Sequence, residues 1–552
     1  MLPSSGRWRP PLLAAALGAV LVVVLTAPTL TRLTTVGRFD TNDGLFSIWN
    51  IAWIDHALLT APSTLLDANI FSPHTGTLAY SELNLVAGLL GLPWYAATHH
   101  NALAALNGAV GVALWLAFLA MWALVRRLSG SDAAGLVSAT AFTFCPYVGA
   151  RTAHIQLLMI FVFPLVLLAF HRLRESPTPQ RGAALGLALA VAALSCGYYG
   201  IFAGCALTWM VLAFADRSGR YWRAIAVSAA VVAIVVWPVF HVFATARAES
   251  GAAPPSYVGN DLPEWSANVS AYLASSSIAH EWWLPALKRW QPWSDVLFPG
   301  IGLLVLAGIG TGVAWRGGSE RRRVLVAYLT LAALAVWASF GPRLGLYRAL
   351  EYVVPGMGLI RAPGRFGILV ACALAVIAGF GAARLSKARA WIPWVLVVAI
   401  AAELGVKTQT WGWPSWPLTV APAVSRVYRK LPNLPPGVLV EFLFPYQSSS
   451  YHFHSRAMYW STYHWLPLVN GYSDIIPADF DQIALPINAF PDPESFAIMK
   501  ARHVRYVLWH LEDYQSAGRD VLRTRIARYQ PYLRPIVIAP DAWLYEIVQW
   551  PD

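Results

Sequence analysis

Residues 38–53 read RFDTNDGLFSIWNIAW, placing two carboxylates, Asp40 and Asp43, a few residues beyond a long apolar run and just ahead of a stretch rich in Trp and Ile. Carboxylates in such a place have two uses. Asn42 or Asp43 can cap an amphipathic helix lying on a membrane, because a first turn leaves backbone N–H groups without intrahelical partners. Alternatively Asp43 or Asp40, partly desolvated near a membrane surface, acts as a general base or a metal ligand. Gly44 follows Asp43 directly and would let a substrate approach the backbone. Both uses stay open at this point.

Other polar groups carry the same ambiguity. Glu82, in AYSELNL, either caps the apolar element 83–98 or supplies a further acidic ligand. ARTAHIQLL (150–158) holds Arg151, His154 and Gln156; on a helix, Arg151 and His154 would share a face, fit to orient an acceptor or ligate a metal. GLIRAPGRF (358–366) offers Arg361 and Arg365, whose guanidinium forks match phosphate oxygens, or which snorkel toward lipid headgroups. YHFHSRAMYWSTYHWLPLVNGYSD (451–474) is dense in His, Tyr and Trp. Its Tyr459, His464, Asn470 and Tyr472 suit a sugar face as well as a core. On a strand, His452 and His454 would share one side, although no third zinc ligand accompanies them.

These groups must be positioned by a chain of unusual composition. Of its 552 residues, 57% are hydrophobic and 12% charged, and the mean hydropathy is +0.51; a soluble domain carries about twice that charge. The composition predicts a polytopic α-helical membrane protein with about eleven transmembrane helices, over 11–30, 102–125, 133–148, 154–171, 182–197, 199–215, 222–243, 296–315, 324–340, 366–383 and 391–406. The net charge of +12 does not indicate nucleic acid, because it is concentrated in short loops between apolar runs. Arg126–Arg127, Arg172/Arg174/Arg181, Arg217/Arg220/Arg223, Arg316/Arg321/Arg322/Arg323 and Arg384/Lys387/Arg389 fall on one side, with Arg7 and Arg9, if the N-terminus is cytoplasmic. That count requires 83–98 to dock on the outer face without crossing. The first helix is read as an uncleaved anchor, since no small-residue cleavage site follows it.

The predicted outer face receives loops 31–101, 244–295 and 341–365 and everything beyond about 407. It also holds most of the acids, Asp55, Asp67, Glu249, Asp261, Glu264, Glu281 and Asp295 among them, whereas the spans are almost free of Asp and Glu, Glu403 being the main exception. A transporter normally shows ionisable residues within its spans; here the polar chemistry lies at the outer surface. The four cysteines, Cys145, Cys196, Cys205 and Cys372, lie in or beside apolar runs, which argues against a disulfide framework. The division expected is a transmembrane domain, 1–406, and an extracytoplasmic α/β domain, 407–552. The latter opens with the Trp/Pro-rich stretch 410–422 and contains VLVEFLF (438–444), VRYVLWH (504–510) and RPIVIAP (534–540) as strands, with helices over 494–503 and 516–529.

A helix, an acidic loop with interfacial helices, a second span ending in WALVRRLSGS and a third ending in FCPY resemble the C-type (GT-C) polyprenyl-phosphate-dependent membrane glycosyltransferases. NDGLFSIWNIAWIDHALL, DANIFSPHTGTLAYSELNL, FCPYVGARTAHIQLL, LFPGIGLL, GLIRAPGRF and PLVNGYS resemble, in order and spacing, a group of bacterial GT-C-like proteins over about 35–550. The resemblance implies a multi-pass protein of a bacterial inner membrane. It would move a sugar from a polyprenyl-phosphate donor to a glycan, lipid or protein acceptor on the extracytoplasmic side, with inversion. The family's first-loop acid is its catalytic base, and Asp43 matches that position best, with Asp40 as neighbour; here Thr41–Asn42 split the acids, where many members have a tight pair. Glu82 matches the family's second acidic patch. A divalent cation, Mg2+ or Mn2+, is a cofactor compatible with oxygen ligands of this kind. The alternative is a non-catalytic glycan- or lipid-carrier-binding or transport protein on the same architecture.

Overall fold

The computed structural model describes residues 9–251, 262, 264–405 and 418–551. Arg7, Asp261 and most of the Trp/Pro-rich stretch lie outside the described residues. Among these residues four helices are long and apolar enough to cross a membrane: Ala102–Ser129, Gly219–Glu249, Ser319–Ser339 and Pro363–Ser386. Shorter apolar helices include Gly197–Ala213, Ile301–Trp315 and Ile392–Glu403. Four helices of clear spanning length do not confirm the expected count of about eleven, and two of the expected runs are broken for local reasons. The run 133–148 is a helix only over Asp132–Thr143, because Pro146 restarts the chain as a separate turn. The run 154–171 opens as a 3-10 turn, Ile155–Leu158, before the Val162–Glu175 helix.

The chain divides into two compact units that do not follow the expected boundary at 406. The first comprises described residues of 1–38, 107–238 and 255–418; the second, of 39–106, 239–254 and 419–552. In the first unit the Gly367–Ser386 helix is buried along most of its length. It meets the Ile301–Trp315 helix through Gly310 and Gly381, where an added Cβ would drive into the carbonyls of Ile377 and Leu306. Such small-residue contacts are how apolar helices approach closely in a membrane, where apolar surface alone gives no drive to associate. Glu403 accounts for itself here. Its carboxylate accepts from the backbone N–H of Ile301 and of Gly302 (2.9 Å), capping that helix, and lies 3.1 Å from His280 Nε2.

The second unit joins residues 39–106 to the C-terminal segment. Its sheet holds β1 (Val438–Phe442), β2 (Val504–His510), β3 (Leu533–Ile538) and β4 (Ala542–Ile547) in the order β1-β2-β4-β3. β1 and β2 run parallel with Val440 opposite Val507; β4 lies antiparallel to both of its neighbours. Glu441 on β1 is buried and accepts from Tyr428 OH (2.7 Å) and His510 Nε2 (2.8 Å), which tethers the two parallel strands. Loop and tail pair through their backbones: Ser72 N donates to Leu468 O (2.8 Å), Leu468 N to Asn69 O (2.9 Å) and Ile475 N to Tyr80 O (3.0 Å). Trp49, Trp53, Phe71 and Tyr80 share one hydrophobic core with Phe442, Phe480 and Trp509. Residues 39–106 thus belong with the domain expected to start only at 407, because their apolar side chains find their partners nearly 400 positions downstream.

Candidate functional site

The Asp43–Thr60 helix carries the first-loop acids at its start. Asp40 serves as the cap: its Oδ1 accepts from Asn42 N (3.1 Å) and Gly44 N (2.6 Å). Asp43 lies in the first turn, where the helix dipole favours a carboxylate, and its carbonyl accepts from Ser47 Oγ (2.8 Å). Gly44 does permit a close approach, but by the chain itself. A Cβ there would collide with Phe39, so glycine is what lets residues 39–40 fold back over the helix start. Thr41 O, which accepts from Ser455 Oγ (3.2 Å), pins the same turn to the C-terminal segment.

The acid that sequence reasoning passed over is Asp55, on the same helix. It is 0% exposed, and among the described residues neither carboxylate oxygen has a hydrogen-bond partner. Burial pushes its pKa up to about 8. Its spacing from Ile48, Ile51 and Ala52 places it on their face, and all three are buried, so helical periodicity could have revealed it. The element 83–98 is a helix, Leu85–Ala97, docked on the Asp43–Thr60 helix, with Gly88 against Ile54 and Gly91 against Ile51 and Asp55. Glu82 sits three residues before that helix, outside its first turn, and Ser81 Oγ donates instead to Asp474 (2.9 Å).

The aromatic stretch of the tail is largely core. Asn470 is 1% exposed; it accepts from Glu441 N (2.8 Å) and donates to Glu441 O (2.9 Å), replacing a backbone partner of β1. His464 Nδ1 accepts from Leu466 N (3.0 Å), and Tyr459 is buried. Tyr472 is half-buried with its ring edge-on to Phe46. Asn470, His464 and Tyr459 are thus buried, which fits the core alternative that the sequence left beside a sugar face. His452 and His454 end a 3-10 turn rather than lying on a strand. His454 Nε2 donates to Pro445 O (3.0 Å) and its Nδ1 faces Asn470 Nδ2 (3.2 Å), which occupies both ring nitrogens. Burial pushes His454 and His464 down to about 3, so both are neutral.

In the first unit, residues 151–154 form turns rather than a helix, so Arg151 and His154 do not share a helical face. Arg151 is buried, stacks on the Tyr147 ring (3.8 Å to its centroid) and pairs with Asp295, which removes it as an acceptor contact. His154 and Gln156 are half-buried on the same turn. Arg361 precedes the short turn Pro363–Phe366 and Arg365 lies within it. Arg365 lies over the ring of Tyr198 (4.6 Å), Arg361 over that of Trp265 (5.8 Å), and Arg361 N donates to Tyr198 OH (3.4 Å). Both arginines stand at the N-terminal end of the Gly367–Ser386 helix, whose last turn carries Arg384. They are thus at the opposite end of that helix from a basic loop.

Among the described residues no three His, Cys, Asp or Glu side chains gather as a metal site. Asp40 is engaged with the backbone through its Oδ1.

Comparison with solved structures identifies the architecture as the GT-C fold. The mycobacterial arabinofuranosyltransferase AftD matches with a TM-score of 0.57 at 14% identity, over 98% of this chain and 40% of that one. A mutant of the same enzyme matches at 0.58 and 16%, over 98% and 41%. The chain therefore spans about 40% of the length of AftD. No curated protein matches it in sequence. The model of the family described as "Domain of unknown function (DUF6311)" matches residues 68–404, more than half of the chain, and the chain belongs to that family.

Proposed function

We propose that the protein is a membrane glycosyltransferase that takes a sugar from a polyprenyl-phosphate donor on the extracytoplasmic side. The observation that carries this reading is the placement of Arg365 over the Tyr198 ring and of Arg361 over the Trp265 ring, with the Arg361 backbone N–H also donating to Tyr198 OH, at the helix end away from a basic loop, within a GT-C fold. Two guanidinium groups braced on aromatic faces suit a lipid-linked phosphate, whose charge grows as the glycosidic bond breaks. In a single displacement the acceptor hydroxyl attacks the anomeric carbon and the phosphate leaves from the opposite face, which inverts the centre. Asp43, which matches the family's first-loop acid, is the group proposed to take the proton of an attacking hydroxyl.

The test is donor binding by the full-length protein in lipid nanodiscs. Arg361→Ala and Arg365→Ala are expected to weaken binding of a defined polyprenyl-phosphate sugar by about tenfold or more each. Lys at either position should restore part of it, since it keeps the charge but loses the fork. Unchanged affinity in both Ala variants would assign the arginines to lipid headgroups and remove the main support for the reading.

A further inference from the structure

The Asp43–Thr60 helix has a second feature at its far end. A cavity of about 390 Å3 opens where residues 98–102, which lead into the Ala102–Ser129 span, meet residues 462–465. His56, His99, His100, Asn101, Tyr463 and Trp465 line it, and every one of these belongs to the second unit. One wall is the parallel stack of His56 on Trp465, with centroids 4.5 Å apart; behind another, Tyr95 stacks on His100 at 5.0 Å.

Three observations indicate that this is a built site. The first is strain. Six non-glycine residues among those described have positive φ, and three of them line this cavity: His99 (53°), His100 (64°) and Trp465 (53°). Side chains other than glycine reach this region at an energetic cost, and such residues concentrate at ligand sites. The second is chemistry. The lining contains no Asp, Glu, Lys or Arg, yet it is rich in imidazole, hydroxyl, amide and aromatic groups. Burial, with His100 nearby, pushes His56 down to about 4, so its imidazole is neutral at physiological pH. A cavity without fixed charge, offering hydrogen bonds beside aromatic rings, fits a neutral, hydroxyl-bearing ligand better than an ion or a lipid tail. The third is position. His56 lies 13 residues along the helix from Asp43, which at 1.5 Å per residue is about 20 Å.

We propose that this cavity binds a sugar unit of an oligosaccharide at a point remote from the reacting end, which makes the acceptor a glycan chain rather than a lipid or a protein. The acceptor assignment rests on the transferase reading above; sugar binding in the cavity does not. One ring cannot span about 20 Å, so occupancy of both places selects for chains over monosaccharides.

The experiment has two arms with different readouts. In the first, saturation-transfer NMR on the full-length protein in nanodiscs records binding of mannose-, galactose- and arabinose-based oligosaccharides without any donor. The wild type is expected to bind at least one of them. Tyr463→Ala and His99→Ala should weaken that binding at least tenfold, whereas the surface control His503→Ala leaves it unchanged. Thermal unfolding of each variant shows whether the fold is retained. His99 is exposed, so its loss leaves the core intact and the outcome interpretable. In the second arm, transfer to long and short acceptors is compared, and His99→Ala should raise KM for long chains with kcat held. No oligosaccharide bound by the wild type, binding unaffected by both cavity variants, or inorganic phosphate bound there in place of sugar would each overturn the proposal. If the wild type transfers sugar but binds no free glycan, the cavity assignment fails and the transferase reading stands. If it binds glycan but transfers nothing, binding stands and the acceptor role falls with that reading.

Discussion

Asp43→Asn is expected to lower sugar transfer by about 10²–10⁴-fold, the usual contribution of a general base, while leaving folding and donor binding nearly intact. Asn keeps the size and the hydrogen-bonding capacity of the side chain and removes only its ability to hold a proton. Asp40→Asn should behave differently. Asp40 Oδ1 accepts two backbone N–H bonds at the helix start, a role an Asn oxygen can fill with a loss of about 1 kcal/mol or less. Its transfer rate should stay within a few-fold of wild type. The comparison is made with a defined polyprenyl-linked sugar at saturating donor. Loss of turnover in Asp40→Asn with retention in Asp43→Asn would exchange the roles of the two acids. Full turnover in both would reduce them to a cap and a surface charge.

Asp55→Asn should make the fold less sensitive to alkali. Burial raises the Asp55 pKa to about 8, whereas in the unfolded chain it returns to the ordinary 3.8. The folded state therefore binds a proton that the unfolded state releases between about pH 4 and pH 8. Stability attributable to this proton is fully present below about pH 4, declines as pH rises, and is gone above about pH 8. Four pKa units correspond to something on the order of 5 kcal/mol over that window. Asn carries no such slope. Thermal unfolding of wild type and Asp55→Asn across this range should show their Tm values diverging as pH rises, with the variant the more stable at the alkaline end. Because the other titrating groups are common to both proteins, the difference isolates Asp55. Parallel curves would mean that the carboxylate acquires a compensating partner when it ionises.

The helical membrane character and the β strands of the tail were legible in the sequence, since both follow from apolar run length and alternation. The joining of first loop and tail was not. Asn69, Phe71 and Ser72 pair with Leu466, Leu468 and Asn470 across nearly 400 residues, and nothing local announces such a contact. At the site, polar residue types were recognised more readily than their engagement. Asn470, His454 and Arg151 have side chains apt for ligands, but the structure uses them to satisfy a strand edge, a carbonyl and a partly buried carboxylate. Gly44 shows the same limit: the need for a missing Cβ was readable, but not that Phe39 occupies the space. Asp55 was the reverse case, since its helical spacing from Ile48 and Ile51 marked a buried face and only its charge distracted from it.

The central claim, that this protein handles a lipid-linked phosphate through Arg361 and Arg365, is tested most directly by mass analysis of lipids that accompany the purified protein. Wild type and the Arg361→Ala/Arg365→Ala double variant are extracted from the same membranes under identical conditions. The account predicts polyprenyl phosphate, or its sugar-linked form, held by the wild type and depleted at least tenfold in the double variant, with bulk phospholipid equal in both. Polyprenyl phosphate absent from the wild type, or carried equally by both proteins, would contradict it.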